Sequence, residues 1–221
     1  VTVTQGKLEG KALSSVLVDG ADDYVVVTDF DLFDSATEGT VSCWVRPDTV
    51  TSGARSAVSK YDTGGSGERE FQLYLNGANA AWNVQDVKTT YTAGKDITAG
   101  STTLVADKWY HLCGTFSTTN GQKLYLNGVL DGTAGTAISG AMDNGTANVN
   151  IGAYADGSGD FDGEIRDVRT YAHELSAEQA ASLYSGSYNV TPEHWWKLDE
   201  GSGTTAYDTG TGSTQNSSSL A

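Results

Sequence analysis

The stretch Trp109-Tyr-His-Leu-Cys-Gly-Thr-Phe116, together with Lys123-Leu-Tyr-Leu-Asn-Gly-Val129 just after it, decides the fold class. Aromatic and β-branched side chains recur there at strand spacing, and Asn127-Gly128 between apolar flanks is the strongest short-range hairpin signal. Working outward, the same texture returns in Tyr24-Val-Val-Val27, Phe71-Gln-Leu-Tyr-Leu75, Val149-Asn-Ile151 and Glu164-Ile-Arg-Asp-Val-Arg-Thr-Tyr171. Gly, Asn, Asp and Ser lie between these runs, and Asn76-Gly77 supplies a second hairpin turn. About twelve short strands with tight turns predict an all-β sandwich or barrel. One helix interrupts the pattern at about 176–185. Ser176 and Gln179 form a capping box behind Leu175, good helix formers follow, and Gly186 is placed to stop it.

Composition narrows the partners. The 221 residues carry a net charge of −15 and are 38% hydrophobic, enough for one self-sufficient core, so the reading is a single domain over 1–221. An acidic chain lacks the basic face that nucleic acid requires, and no apolar run reaches membrane-spanning length, so neither nucleic acid nor membrane insertion is expected. Cys43 and Cys113, 70 residues apart, fit no metal spacing and are either two buried thiols or a strand-to-strand disulfide. Near the end, Glu193-His-Trp-Trp-Lys-Leu-Asp199 reads as a strand with its two tryptophans on opposite faces. Residues 201–219 are then almost all Gly, Ser, Thr, Asn and Gln.

In order along the chain, Thr40-Val-Ser-Cys-Trp-Val-Arg-Pro47, Lys108-Trp-Tyr-His-Leu112, Lys123-Leu-Tyr-Leu-Asn-Gly128 and Phe161-Asp-Gly-Glu-Ile165 resemble the laminin-G-like, concanavalin A-like jelly roll. The resemblance implies a two-sheet antiparallel sandwich with one concave face, and places Trp44 and Trp109 at core positions. That family's opening motif is here at the C-terminus, in Trp196-Lys-Leu-Asp-Glu-Gly-Ser-Gly-Thr-Thr205 with Asp208. Residues 193–221 are therefore expected to complete this domain or to swap into a neighbour, as in a permuted or out-of-phase repeat unit. The pentraxin relatives imply a disulfide between Cys43 and Cys113, with Cys43 one position out of step.

Chemistry is sparse. No Glu-x-Asp-x-Glu run of the kind paired carboxylates need for glycoside hydrolysis occurs, and no histidine lies in a nucleophile motif, so no enzyme activity is expected. Sugar binding needs aromatic faces with planar polar groups nearby. Tyr61, Tyr74, Trp82, Tyr91 and Tyr154 supply candidate faces, and Arg69 and Asn83, with Arg55 and Gln85, candidate hydrogen bonds. The acidic loops offer hard oxygen donors for a structural Ca²⁺, the candidates being Asp19, Asp22, Asp162, Asp167, Asp199 and Asp208. The expectation is a secreted, non-catalytic adhesion or carbohydrate-binding module of an extracellular or virion-surface protein. Its partners would be glycans, cell-surface or matrix proteins, and neighbouring domains of its own parent chain. A purely structural spacer repeat and a divergent polysaccharide hydrolase or lyase are the competing readings.

Overall fold

The computed structural model describes the chain except for residues 1, 9–10, 64–68, 86–96, 134–139, 143, 188, 218 and 221, and only the backbone of 2–8, 11–14, 97 and 219–220. Two antiparallel sheets face each other. The first runs in the order β1 (Thr2–Leu8), β2 (Lys11–Asp19), β13 (Asp162–Tyr171), β4 (Glu38–Pro47), β9 (Tyr110–Ser117), β10 (Gly121–Leu126) and β11 (Val129–Thr133). The second runs β15 (Ser219–Leu220), β3 (Val25–Val27), β12 (Val149–Ile151), β5 (Ala54–Tyr61), β6 (Arg69–Asn76), β7 (Asn79–Val84) and β8 (Ile97–Thr103). This is the expected jelly-roll sandwich, and the Asn127-Gly128 turn joins β10 to β11 with Leu126 opposite Val129.

Alternation along each strand fills the space between the sheets. Val41, Cys43 and Val45 of β4, Leu112 and Phe116 of β9, and Phe71, Leu73 and Leu75 of β6 share one core. Trp82 of β7 is, with Trp196, one of the two largest fully buried side chains there. Its indole lies over Gly114 of β9, where a β-carbon would sit 2.3 Å from the ring, and its Nε1 donates to the Thr115 carbonyl at 3.0 Å. Glycine at 114 is thus what lets an indole from one sheet reach the backbone of the other.

The helix α1 (Ala177–Ser185) begins at the capping box, with both reciprocal Ser176 and Gln179 bonds present, and ends at left-handed Gly186. It covers the outer face of the first sheet, placing Ala180 on Cys113 and Tyr125. The cysteines are free and buried, which corrects the disulfide expectation. Cys113 pairs with Ser42, whereas Cys43 pairs with Leu112. Strand alternation therefore sends Cys43 into the core and Cys113 out beneath the helix, so the thiols cannot meet.

A bulge in β13 organises the end of the chain. Asp167 adopts φ 56° where the register against β4 shifts. Before it, Asp162–Ile165 pair with β2; beyond it, Val168–Thr170 pair with β14 (His194–Trp196). Trp196 enters the core with its Nε1 donating to the Gln215 carbonyl at 2.7 Å, while Trp195 lies outside over Arg169. Asp208 accepts from the backbone N–H groups of Trp195, Gly210 and Gln215 and lies 2.8 Å from His194 Nδ1. β15 returns beside β3.

Candidate binding face

The outer face of the second sheet gathers most of the sequence candidates. Val58, Leu73, Trp82 and Ile151 point into the core, so their strand neighbours Ser59, Gln72, Asn83 and Asn150 point out. Register puts these four in a single row: Asn150 opposite Ser59, Ser59 opposite Gln72, and Gln72 opposite Asn83. In the adjacent row Ser56 lies opposite Tyr74. At the end of the face Tyr61 pairs with Arg69, whose guanidinium sits 5.2 Å from the Tyr61 ring centroid. Tyr154, from the loop after β12, places its ring 5.5 Å from that of Tyr61.

The row is polar yet enclosed. Ser59, Gln72, Asn83 and Asn150 are at most 3% exposed. Ser59 Oγ donates to the Ala153 carbonyl at 2.8 Å, and Asn150 Nδ2 donates to the Tyr154 carbonyl at 2.6 Å. Gln72 Nε2, Asn83 Oδ1, Asn150 Oδ1, Ser56 Oγ and Gln85 Nε2 have no hydrogen-bond partner among the described residues. Each buried polar atom left so costs about 1–3 kcal/mol; a second set, including Ser42 Oγ, Gln122 Oε1 and Thr170 Oγ1, lies on strands of the first sheet. Amides supply donors and acceptors in a plane, and no carboxylate belongs to the row; the arrangement suits a neutral ligand rich in hydroxyl groups.

Trp82 is the correction to the sugar-binding candidates. It is fully buried between the sheets, so it offers no stacking face. Asn83, its neighbour, is on the outer face with Tyr61, Arg69, Tyr74 and Tyr154; Tyr91 lies outside the described residues. Arg55 donates instead to the Asp160 carbonyl and Thr51. Gln72, Asn150 and Ser56 were missed, although Gln72 has the same strand parity as Tyr74 in Phe71-Gln-Leu-Tyr74.

The calcium candidates do not converge. Asp19 and Asp22, with Asp23, bring carboxylate oxygens within 4.8 Å of one another. Asp162 stands opposite Asp19 in the β2–β13 ladder but accepts from Thr49. Burial, with the charges of Asp19 and Asp22 nearby, holds the neighbouring Asp160 above its ordinary range. Asp208 is consumed by its backbone and histidine bonds, Asp167 accepts from Trp195 Nε1 at 2.6 Å, and Asp199 is exposed. The three carboxylates at 19, 22 and 23 fit a hard cation in donor type, with carbonyls or water left to complete its shell.

Trp44 and Trp109 are not in the inter-sheet core; they flank Arg166 on the outer face of the first sheet, at 5.1 and 4.3 Å. Tyr184 of α1 stacks on Trp44 at 5.6 Å. Buried His111 lies against the same indole, and burial, helped by Arg169, drives its pKa down to about 3. The acidic residues near the sheets are likewise engaged. Glu164 pairs with Arg46 at 2.6 Å and accepts from Ser15, and Glu70 pairs with Lys60 at 2.8 Å.

Among solved structures, domain 4 of AbnA, an extracellular arabinanase from Geobacillus stearothermophilus solved with arabinotriose, is similar at a TM-score of 0.57 and 16% identity, over 83% of this chain and 82% of its own. A heptameric SAP-like pentraxin from Limulus polyphemus gives 0.61 and 14%, over 92% and 94%. The binding domain of Paraclostridial Mosquitocidal Protein 1 gives 0.59 and 14%, over 86% of this chain, which spans only 47% of that one. No relative was found among curated proteins. The sequence model of the concanavalin A-like lectin/glucanases superfamily, Laminin_G_3, matches residues 19–181. With the two-sheet jelly roll and its ordered strand motifs in place, the chain belongs to the concanavalin A-like lectin/glucanase superfamily.

Proposed function

We propose that this chain is a non-catalytic, extracellular carbohydrate-binding module that takes a neutral sugar on the outer face of its second sheet. The observation that carries the reading is the row Asn150–Ser59–Gln72–Asn83, whose enclosed amide atoms lack partners among the described residues. Sugar hydroxyls both donate and accept, so a pyranose or furanose could satisfy Gln72 Nε2 and Asn83 Oδ1 together, while the half-buried Tyr154 offers ring surface. Such a ligand would be largely enclosed, as small-molecule ligands usually are. The arabinotriose bound to the similar arabinanase domain supports testing short neutral oligosaccharides first.

The non-catalytic reading is supported by the engagement of Glu164 with Arg46 and of Glu70 with Lys60, since a glycosidase needs two carboxylates free to face a substrate. Binding would be measured by titration calorimetry with neutral and acidic oligosaccharides, alongside Gln72→Ala and Asn83→Ala. The expected result is saturable binding of a neutral oligosaccharide, weakened roughly 5- to 100-fold by either substitution, the cost of one or two well-placed hydrogen bonds. Absence of binding at millimolar concentration across neutral glycans would favour a spacer repeat, and release of reducing ends would establish a hydrolase.

A further inference from the structure

Outside this face, the end of the sandwich holds a group of charged side chains that neither the fold nor sugar binding explains. Lys60 of β5 is fully buried. Its Nζ lies 2.8 Å from Glu70 Oε1, 2.9 Å from Asp34 Oδ1, 3.2 Å from Asp29 Oδ1 and 3.1 Å from the Phe30 carbonyl oxygen. Glu70 is also fully buried; its Oε1 accepts from Gly145 N–H at 3.0 Å, and its Oε2 has no partner among the described residues. Asp34 is held in an unusual loop. Phe33 and Ser35, on either side of it, both adopt left-handed backbone, at φ 65° and 58°. Neither is glycine, and such conformations persist only where surrounding structure enforces them, often at functional positions. The Phe33 ring packs edge-on against Phe71 at 5.5 Å and Phe116 at 5.2 Å, closing an apolar wall beside the cluster.

From this geometry we propose that Lys60 and Asp34 join through an intramolecular amide bond, with Glu70 as the proton-transferring group. The step is a condensation. A proton leaves the Lys60 ammonium for a neighbouring carboxylate, and the freed Nζ lone pair attacks Asp34 Cγ. Glu70, carrying a proton, hydrogen-bonds the oxygen on which negative charge develops. It relays protons as one Cγ–O bond breaks and that oxygen departs as water. One N–Cγ bond forms, one water leaves, and no electron donor or acceptor is needed. An ammonium and a carboxylate become a neutral amide, so one fully buried and one partly buried charge disappear, with their desolvation cost. Holding the atoms at contact distance also replaces the encounter that free amine and acid would need.

Glu70 is suited to the role: burial pushes its pKa up to about 8 despite the attraction of Lys60, so it can take up and release a proton near neutral pH. The carboxylates keep Lys60 charged before reaction, raising its pKa against the opposing effect of burial, so the reaction draws on the minor fraction in which that proton has moved. Asp34 is a better electrophile than Asp29, which is farther from Nζ and more exposed. The bond would tie the loop between β3 and β4 to the second sheet, across a separation of 26 residues.

The test is the mass of the full chain after complete unfolding. The expected value is one water below that of the sequence, with fragmentation of a digest locating a branched peptide that links Asp34 to Lys60. Asp34→Ala and Lys60→Arg should restore the full mass, as should Glu70→Gln when circular dichroism shows it folded. A full mass in the unsubstituted protein overturns the proposal, and that reading does not depend on whether any variant folds. So does a water loss that maps to an Asp-Gly succinimide such as Asp156-Gly157, or a link to Asp29 or Glu70 in place of Asp34. A folded Glu70→Gln protein that still forms the bond removes Glu70 from the mechanism.

Discussion

Replacing Gly114 by alanine adds a single methyl group, and its consequence can be worked from the contact between the sheets. The new β-carbon would lie 2.3, 2.6 and 2.7 Å from Cδ2, Cε3 and Cγ of Trp82, far inside contact distance. The indole cannot swing clear cheaply. Its Nε1 is committed to the Thr115 carbonyl at 3.0 Å, and Phe71 stands 6.0 Å away, ring to ring. Overpacking of this kind costs about 1–3 kcal/mol, and loss of the indole hydrogen bond adds about 1 kcal/mol, so about 3 kcal/mol is expected. For a domain of this size that corresponds to a fall of roughly 6–12 °C in Tm, read by calorimetry or tryptophan fluorescence. The coupling is the sharper measurement. In a Trp82→Leu background the added methyl has room, so Gly114→Ala should then cost less than about 1 kcal/mol. A Tm change under about 2 °C in the wild-type background, or equal costs in both, would refute the claim that Trp82 is a buried strut between the sheets.

The thiols provide a second test: native protein should leave Cys43 and Cys113 unreactive toward a water-soluble thiol reagent, because burial pushes Cys113 up to about 12 and Cys43 higher still, and unfolding without reductant should expose both as free thiols. His111 should make the fold acid-sensitive. Its pKa is depressed to about 3 by burial, so the stability it contributes is complete above pH 6.5 and lost as pH falls toward 3, by at most about 1.4 kcal/mol per unit. A folded His111→Gln protein should show a flatter stability profile in that window; an unchanged slope would assign the acid sensitivity elsewhere. Asp208 is held below its ordinary range by His194 and three backbone N–H groups, which outweigh burial. Asp208→Asn should therefore cost about 2 kcal/mol at pH 7 and loosen the C-terminal segment, seen as faster amide exchange at Trp195 and Trp196, with the difference from wild type shrinking below pH 3.8. Finally, if Asp19, Asp22 and Asp23 hold Ca²⁺, Tm should rise with calcium and fall with chelator, and Asp22→Asn should abolish the difference.

The strand runs, the Asn-Gly hairpin and the capped helix were legible because each is written in local periodicity or turn chemistry. The outward and inward tryptophans of His194-Trp-Trp196 followed from the same alternation. Alternation also separates Trp82 from Asn83, so one face could not hold both. The loop aspartates were legible as oxygen donors but not as a set, because which of them meet depends on how β2, β13 and the C-terminal segment lie together. The cysteines show the same limit: each sits in a clear strand, yet only the one-residue register between β4 and β9 puts them on opposite faces.

What the sequence by itself determined is therefore the class of fold and the character of each face, since side-chain period and turn residues are properties of neighbours in the chain. The row Asn150–Ser59–Gln72–Asn83 and the Lys60–Asp34–Glu70 cluster were decided only by tertiary structure. Both draw residues from segments distant in sequence. A polar side chain becomes costly, and so informative, only once strand pairing and loop packing remove it from water and decide whether a partner stands within reach.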